Sequence, residues 1–210
     1  MRGKFITFEG IDGSGKSTQL RTLASELLGL GYDVLTTHEP GGTPLGRRLR
    51  EAFLETEETV SPLAELLLFA ADRAQHVNFF IKPELELGKI VISDRFADAT
   101  AAYQGAGRGF PEKTVDQIIK LATDGLKPDL TLFFDIPVEG AILRTNSRSD
   151  DDTKRNRMDL ETAEFYARVR NAYLEIALRE PERFRVIDAS RSVEEIHAKV
   201  LEIVKKFLEK

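Results

Sequence analysis

Between Gly10 and Ser17 the chain reads Gly-Ile-Asp-Gly-Ser-Gly-Lys-Ser, which meets G-x-x-x-x-G-K-[ST] at every fixed position. The residue types have a physical reading. Glycines let the backbone turn so that successive N–H groups converge on phosphate oxygens, and a helix start adds its positive end. Lys16 would reach the β and γ phosphates, and the Ser17 hydroxyl would hold Mg²⁺. The context agrees, because an apolar run from Phe5 to Phe8 precedes the turn and Leu20, Leu23, Ala24, Leu27 and Leu28 follow at helical spacing. A strand, a phosphate cradle and a helix in that order confine the chain to the P-loop kind of α/β fold.

The remaining pattern extends that reading. Apolar runs at Val34–Thr37, Ile90–Ser93, Leu130–Phe134 and Phe184–Ile187 alternate with helical periods, the signature of a parallel sheet with crossover helices. The expectation is a P-loop NTPase fold of three layers, α/β/α, around a five-stranded parallel sheet. Ser61-Pro62 opens one long helix, Phe165, Val169, Ala172, Tyr173 and Ile176 trace another, and Ser192 with Glu195 forms a capping box for the last. The polar stretch from Asn146 to Arg157 carries three consecutive Asp and four basic residues, which reads as a short flap over about 146–158. At 210 residues the chain is expected to form one domain, 1–210.

Composition narrows the partners. Lys and Arg number 30 against 35 Asp and Glu, so there is no broad footprint for nucleic acid or an anionic membrane. Cysteine is absent, which removes thiol nucleophiles and thiolate metal sites. No stretch approaches the ~20 apolar residues of a membrane span, and the first apolar run is too short for a signal peptide. A cytoplasmic protein is expected.

The cradle alone does not separate kinases from switches. No Asn is followed by Lys, so the N-K-x-D guanine reader is missing, and the strand Lys89–Ser93 ends in Asp94-Arg95 and not Asp-Glu. An Arg there suits an enzyme that holds a second anion beside the ATP phosphates. The ordered segments Phe8-Glu9-Gly10-Ile11-Asp12, Glu39-Pro40-Gly41-Gly42-Thr43, Phe69-Ala70-Ala71-Asp72-Arg73, Asp94-Arg95-Phe96, Ala102-Tyr103-Gln104-Gly105 and Pro128-Asp129-Leu130-Thr131 together resemble the thymidylate kinase family over nearly the whole chain. The resemblance implies the reaction ATP + dTMP ⇌ dTDP + ADP with Mg²⁺, a nucleoside monophosphate kinase domain feeding dTTP synthesis, and a homodimer. The alternatives are a kinase of the same fold acting on another nucleoside monophosphate or a deoxynucleoside, and, more distantly, a nucleotide-binding switch without turnover.

The resemblance also implies roles. ATP would lie on Gly10, Ile11, Asp12, Gly13, Ser14, Gly15, Lys16, Ser17 and Thr18, with Arg144 against adenine. Arg95, assisted by Arg50, would hold the acceptor phosphate, and Asp94 would act on Mg²⁺ through water. Asp12 would meet the nucleotide 3′-hydroxyl, Phe69 would stack on thymine and Arg73 would donate to its carbonyl. Thr100, Tyr103 and Gln104 would lie near the base and sugar. One family subtype carries an Arg inside the cradle, where this chain has Gly13, and the other supplies it from the flap. Arg148 is then expected to reach the transferred phosphoryl group, with Arg155 and Arg157 as substitutes. Read from residue type alone, Phe69 belongs in a core and Arg73 in solvent, both beside an apolar stripe of Leu63, Leu66, Leu67 and Ala70. His38, Ala99 and the flap sequence Asn156-Arg157-Met158-Asp159 depart from the family pattern. His76 and His197 have no second ligand at metal spacing and read as structural. No His–carboxylate pair is expected, and an acceptor phosphate with a second pKa of about 6 needs no general base.

Overall fold

The computed structural model describes residues 2–146 and 157–209 of the chain. Its sheet holds β1 (Phe5–Glu9), β2 (Val34–His38), β3 (Ile90–Asp94), β4 (Leu130–Asp135) and β5 (Phe184–Asp188). The strands are all parallel, in the order β2-β3-β1-β4-β5. Each apolar run of the sequence is one of these strands, and each strand continues one residue further into a polar side chain. The apolar pattern marks what is buried and stops where the strand reaches the sheet edge. Central β1 is buried at every residue, whereas the edge strands β2 and β5 alternate with exposed positions.

Side chains of β1 and β3 sort by the pleat. Phe5 and Val91 join Val77, Ile81, Leu85 and Phe96 on one face. Ile6, Phe8 and Ile92 point to the other, against Leu20, Leu23 and Leu27 of α1 (Lys16–Gly29). Helices α2 (Pro44–Leu54), α3 (Pro62–His76), α4 (Lys82–Glu86), α5 (Ala97–Thr100), α6 (Glu112–Thr123), α7 (Val138–Asn146), α8 (Ala163–Arg179) and α9 (Val193–Leu208) complete the layers. Their starts obey the expected chemistry. The Ser61 hydroxyl accepts from Ala64 N at 3.3 Å ahead of Pro62, and both halves of the Ser192–Glu195 capping box are formed.

Two features were not legible. A π-helical turn at Val77–Ile81 joins α3 to α4, and another at Ala101–Gly107 extends α5. Such wide turns recur at functional sites because they re-aim side chains. The second feature corrects the α3 reading. Leu66 is buried, but Leu63 and Leu67 are half exposed, and the helix instead buries Glu65, Asp72, Arg73 and His76. Its inner face is polar because the cleft wall supplies a partner for each of those groups.

Candidate active site

The chain moves from β1 to the sheet edge at β2 and returns, so β1 has β3 on one side and β4 on the other. That reversal opens a crevice at the carboxyl ends of the strands. The cradle occupies it. Gly15, in left-handed conformation at φ 89°, turns the loop into α1, a geometry that favours glycine. Gly13, at φ 83°, is fixed for a second reason as well: a Cβ there would lie 2.4 Å from the Ala141 carbonyl oxygen and 2.8 Å from Thr145 Oγ1, both on α7. The cradle position that could carry an Arg in this sequence pattern has no room for a side chain.

Lys16 is buried and bonds the cradle's own carbonyls, Gly10 O at 2.9 Å and Ile11 O at 3.1 Å. Burial, and then the nearby Arg95 charge, pulls its pKa down to about 8. Beside it the Ser17 hydroxyl donates to Asp94 Oδ2 at 2.7 Å, while Thr18 follows on the exposed first turn of α1. Among the described residues no three acidic, His or Cys side chains cluster as a metal cage. One hydroxyl and one carboxylate suit Mg²⁺, which keeps most of its water and takes the rest of its shell from phosphate oxygens.

Arg95 adopts φ 69°, a strained region for a residue with a side chain and one that clusters at functional sites. The turn lets its Nη1 donate to Gly10 O and its Nη2 to Asp12 Oδ1, each at 2.9 Å, with the guanidinium 4.9 Å above the Tyr103 ring. Arg95 therefore stands where the cradle meets a second cleft.

The crevice that runs from the cradle residues Asp12, Lys16 and Ser17 into that cleft has a volume of about 690 Å³. Phe69 and Arg73 both line it, and Arg73 is far more buried than its type suggests. Phe69 is only partly buried, edge-on to Phe53 at 4.8 Å, while Arg73 is 2% exposed. Arg73 donates from Nε to Glu39 Oε2 at 2.7 Å, from Nη1 to Thr100 Oγ1 at 2.7 Å and from Nη2 to Phe96 O at 2.9 Å. Each Nη keeps a second N–H beyond those bonds. Arg50 donates to Pro40 O at 3.2 Å, on the loop that carries Glu39. Gln104 donates to Glu65 Oε1 at 2.9 Å, and the buried Tyr103 hydroxyl finds no hydrogen-bond partner among the described residues. His38 and Ala99 also line the cleft; burial, then Arg50, lowers the His38 pKa.

The Glu39 side of this wall corrects one expectation. His76 Nδ1 lies 2.9 Å from Glu39 Oε1, and its Nε2 lies 2.7 Å from Thr37 Oγ1. A His–carboxylate pair does exist, brought together across 37 residues when α3 packs on the end of β2. His76 is wholly buried and Glu39 stands between it and Arg73, so the pair supports that arginine. Burial opposes the Glu39 charge, but Arg73 and then His76 outweigh it and hold the carboxyl below its usual range.

The family model for thymidylate kinase matches residues 8–200. The chain belongs to the thymidylate kinase family. The thymidylate kinase of Halothermothrix orenii is 47% identical over 205 residues, spanning 98% of each chain. That of Pelobacter propionicus is 48% identical over 197 residues, 92% of this chain and 90% of the other. The crystal structure of thymidylate kinase from Ehrlichia chaffeensis superposes with a TM-score of 0.77 at 37% identity, covering 98% of this chain and 99% of that one.

Of the residues that the family resemblance singles out, Arg148 lies outside the described residues, as does Arg155. Arg144, on α7, donates to Ala189 O at 2.9 Å and does not line that crevice. Arg157 is tied to Glu65 Oε2 at 2.5 Å and to Phe53 O at 3.3 Å, which makes it an anchor of α3 and not a spare charge. Residue-by-residue reading missed Glu9, Glu39 and Glu65. Glu9 accepts from Phe96 N at 2.8 Å and from the Tyr173 hydroxyl at 2.7 Å. Burial, then Asp98, raises its pKa to about 8. Glu9 and Glu39 sit inside quoted family segments, and Glu65, Phe69, Asp72, Arg73 and His76 share one helical stripe. That stripe was the available signal.

Proposed function

We infer that this chain transfers the γ-phosphoryl group of ATP to dTMP, giving dTDP and ADP. The observation that carries the reading is Arg95, which bonds the cradle at Gly10 and Asp12 while lying over Tyr103 in the second cleft. A cation at that junction suits two phosphates that must approach each other. In the reaction an oxygen of the dTMP phosphate attacks the γ-phosphorus as the bond to the β–γ bridging oxygen breaks. The dianionic acceptor is already nucleophilic, so positioning and charge neutralisation dominate.

In this reading Lys16 leaves its carbonyl partners for the β and γ phosphates, and Arg95 exchanges Asp12 for the acceptor phosphate, with Arg50 beside it. Phe69 stacks on thymine, Arg73 donates to a thymine carbonyl, and Thr100, Tyr103 and Gln104 close the pocket around base and sugar. Ser17 and Asp94 would hold Mg²⁺, which when bound neutralises charge on the phosphoryl oxygens. The close packing of Gly13 on α7 favours an arginine supplied from outside the cradle, and Arg148 is our choice. A cytoplasmic location and a homodimer belong to the same reading, on composition and family resemblance.

The test is ADP release measured against a panel of nucleoside monophosphates. dTMP should give the highest kcat/KM, with dUMP weakened but not excluded, since one methyl in an apolar pocket is worth ~1–3 kcal/mol. Faster turnover of AMP, CMP or GMP would overturn the assignment.

A further inference from the structure

Glu65 is fully buried on α3. Its Oε1 accepts from Gln104 Nε2 at 2.9 Å and Arg108 Nε at 3.0 Å, and its Oε2 from Arg108 Nη2 at 2.9 Å and Arg157 Nη2 at 2.5 Å. Burial opposes the charge, but hydrogen bonds from Arg108, Gln104 and Arg157 outweigh it and hold the carboxyl below its usual range. An ionised carboxylate can only accept. A primary amide beside it has one stable orientation, with nitrogen toward the carboxylate and oxygen away.

Gln104 lines the acceptor cleft, so this constraint gives the cleft a fixed polarity. The amide oxygen of Gln104 is the acceptor it presents. Arg73, which lines the same cleft, can only donate. The outer edge of thymine runs acceptor, donor, acceptor: O2, N3–H and O4. Cytosine has a bare N3 acceptor and an amino donor where thymine has N3–H and O4. A donor beside an acceptor matches the first edge and opposes the second.

Resting on dTMP as the acceptor, we propose that Glu65 is the positioning residue for base choice: it locks the Gln104 amide so that Oε1 accepts thymine N3–H. Pyrimidines without a proton on N3 are thereby disfavoured before any chemistry occurs. Arg108 and Arg157 serve the same end by keeping Glu65 ionised. Were Glu65 replaced by an amide, its nitrogen would turn to Gln104, and Gln104 would rotate its own nitrogen toward the base. Two donors would then face each other.

The experiment compares dissociation constants for dTMP and N3-methyl-dTMP, which lacks the proton but keeps O2, O4 and the 5-methyl group. Glu65→Gln should weaken dTMP by about tenfold or more, the scale of one buried hydrogen bond made or lost, while the N3-methyl analogue changes little. The exchanged pair Glu65→Gln with Gln104→Glu restores the hydrogen-bond direction, since Gln at 65 donates to Glu at 104, whose other oxygen accepts N3–H. That double variant should recover most of the preference for dTMP. Proportional weakening of both ligands, or no recovery in a folded double variant, would reduce Glu65 to an anchor and overturn the proposal. If Glu65→Gln does not fold, Gln104→Leu removes the acceptor together with the hydrogen bond to Glu65 and should erase the same preference; an unchanged preference would overturn it equally. A wild-type protein that fails to bind dTMP refutes the acceptor reading itself, a result distinct from any change in preference among variants.

Discussion

Lys16 bonds the carbonyls of the loop it serves, at 2.9 and 3.1 Å. Those bonds satisfy donors of a buried ammonium, while the charges of Asp94, Asp12 and Glu9 favour its protonated form. Lys16→Ala should therefore melt close to wild type while kcat falls by ~100-fold or more, the typical loss for one electrostatic donor; near-normal turnover would make the cradle lysine decorative. Tyr103 makes the complementary case. A buried hydroxyl that no described residue hydrogen-bonds costs free energy, so Tyr103→Phe should leave the free protein as stable or more so. If the ligand uses that hydroxyl, KM for dTMP should rise several-fold, and an unchanged KM would separate it from the acceptor. Glu9 gives the pH signature. Its usual value is 4.5 and its folded value about 8, so between them the native state binds a proton that the unfolded chain has released. Stability from this group is present below pH 4.5 and is lost as pH rises through about 8. Glu9→Gln should flatten that part of the stability–pH curve in denaturant titrations, and an unaltered curve would place the dependence elsewhere. Reading by residue type failed most plainly at Arg73. Average burial puts Phe inside and Arg outside, and only the partners Glu39, Thr100 and Phe96 O, unseen in sequence, explain a buried guanidinium.

At the scale of elements, the strands and most helices were legible because burial leaves a period in the sequence, and the capping residues at Ser61 and Ser192 punctuate it. The polar face of α3 broke that rule. Its leucines at 63 and 67 look outward while its charges are buried, and hydrophobic periodicity alone assigns such a helix the wrong inner face. The π-helical turns left no compositional trace, yet one of them, Ala101–Gly107, carries Tyr103 and Gln104 into the cleft. The Glu39–Arg73–His76 chain was illegible for another reason, since its members meet only through packing of α3 on β2. Cradle and α7 make a testable pair of elements. Gly13 combines φ 83° with a 2.4 Å approach of its would-be Cβ to Ala141 O. A backbone atom cannot yield as a flexible side chain can, so Gly13→Ala should destabilise by about 1–3 kcal/mol. A denaturation midpoint equal to wild type would show that α7 moves freely away from the cradle.

The whole molecule places its polar strand ends, Glu9, His38, Asp94, Asp135 and Asp188, along one edge of the sheet. Register pairs His38 with Asp94 and Asp135 with Asp188 at that edge. In the proposed reading two nucleotide positions lie at that edge. The cradle joins β1, α1 and α7, and the crevice that continues from it draws also on α2, α3 and the Ala101–Gly107 turn. A ligand in either place stabilises the fold by mass action, about 2.7 kcal/mol at 100 times its Kd. For a chain of this length that corresponds to a rise in Tm of roughly 5–10 °C. The two sites should respond separately. Lys16→Ala should keep the dTMP shift and lose most of the ADP shift, because its ammonium faces the cradle carbonyls at Gly10 and Ile11. Phe69→Ala should do the reverse, keeping the ADP shift and losing the dTMP one. A scanning measurement of each variant with each nucleotide decides the matter. Loss of both shifts in either variant would mean that the crevice behaves as one site, and that the division of labour across β1 and β3 is wrong.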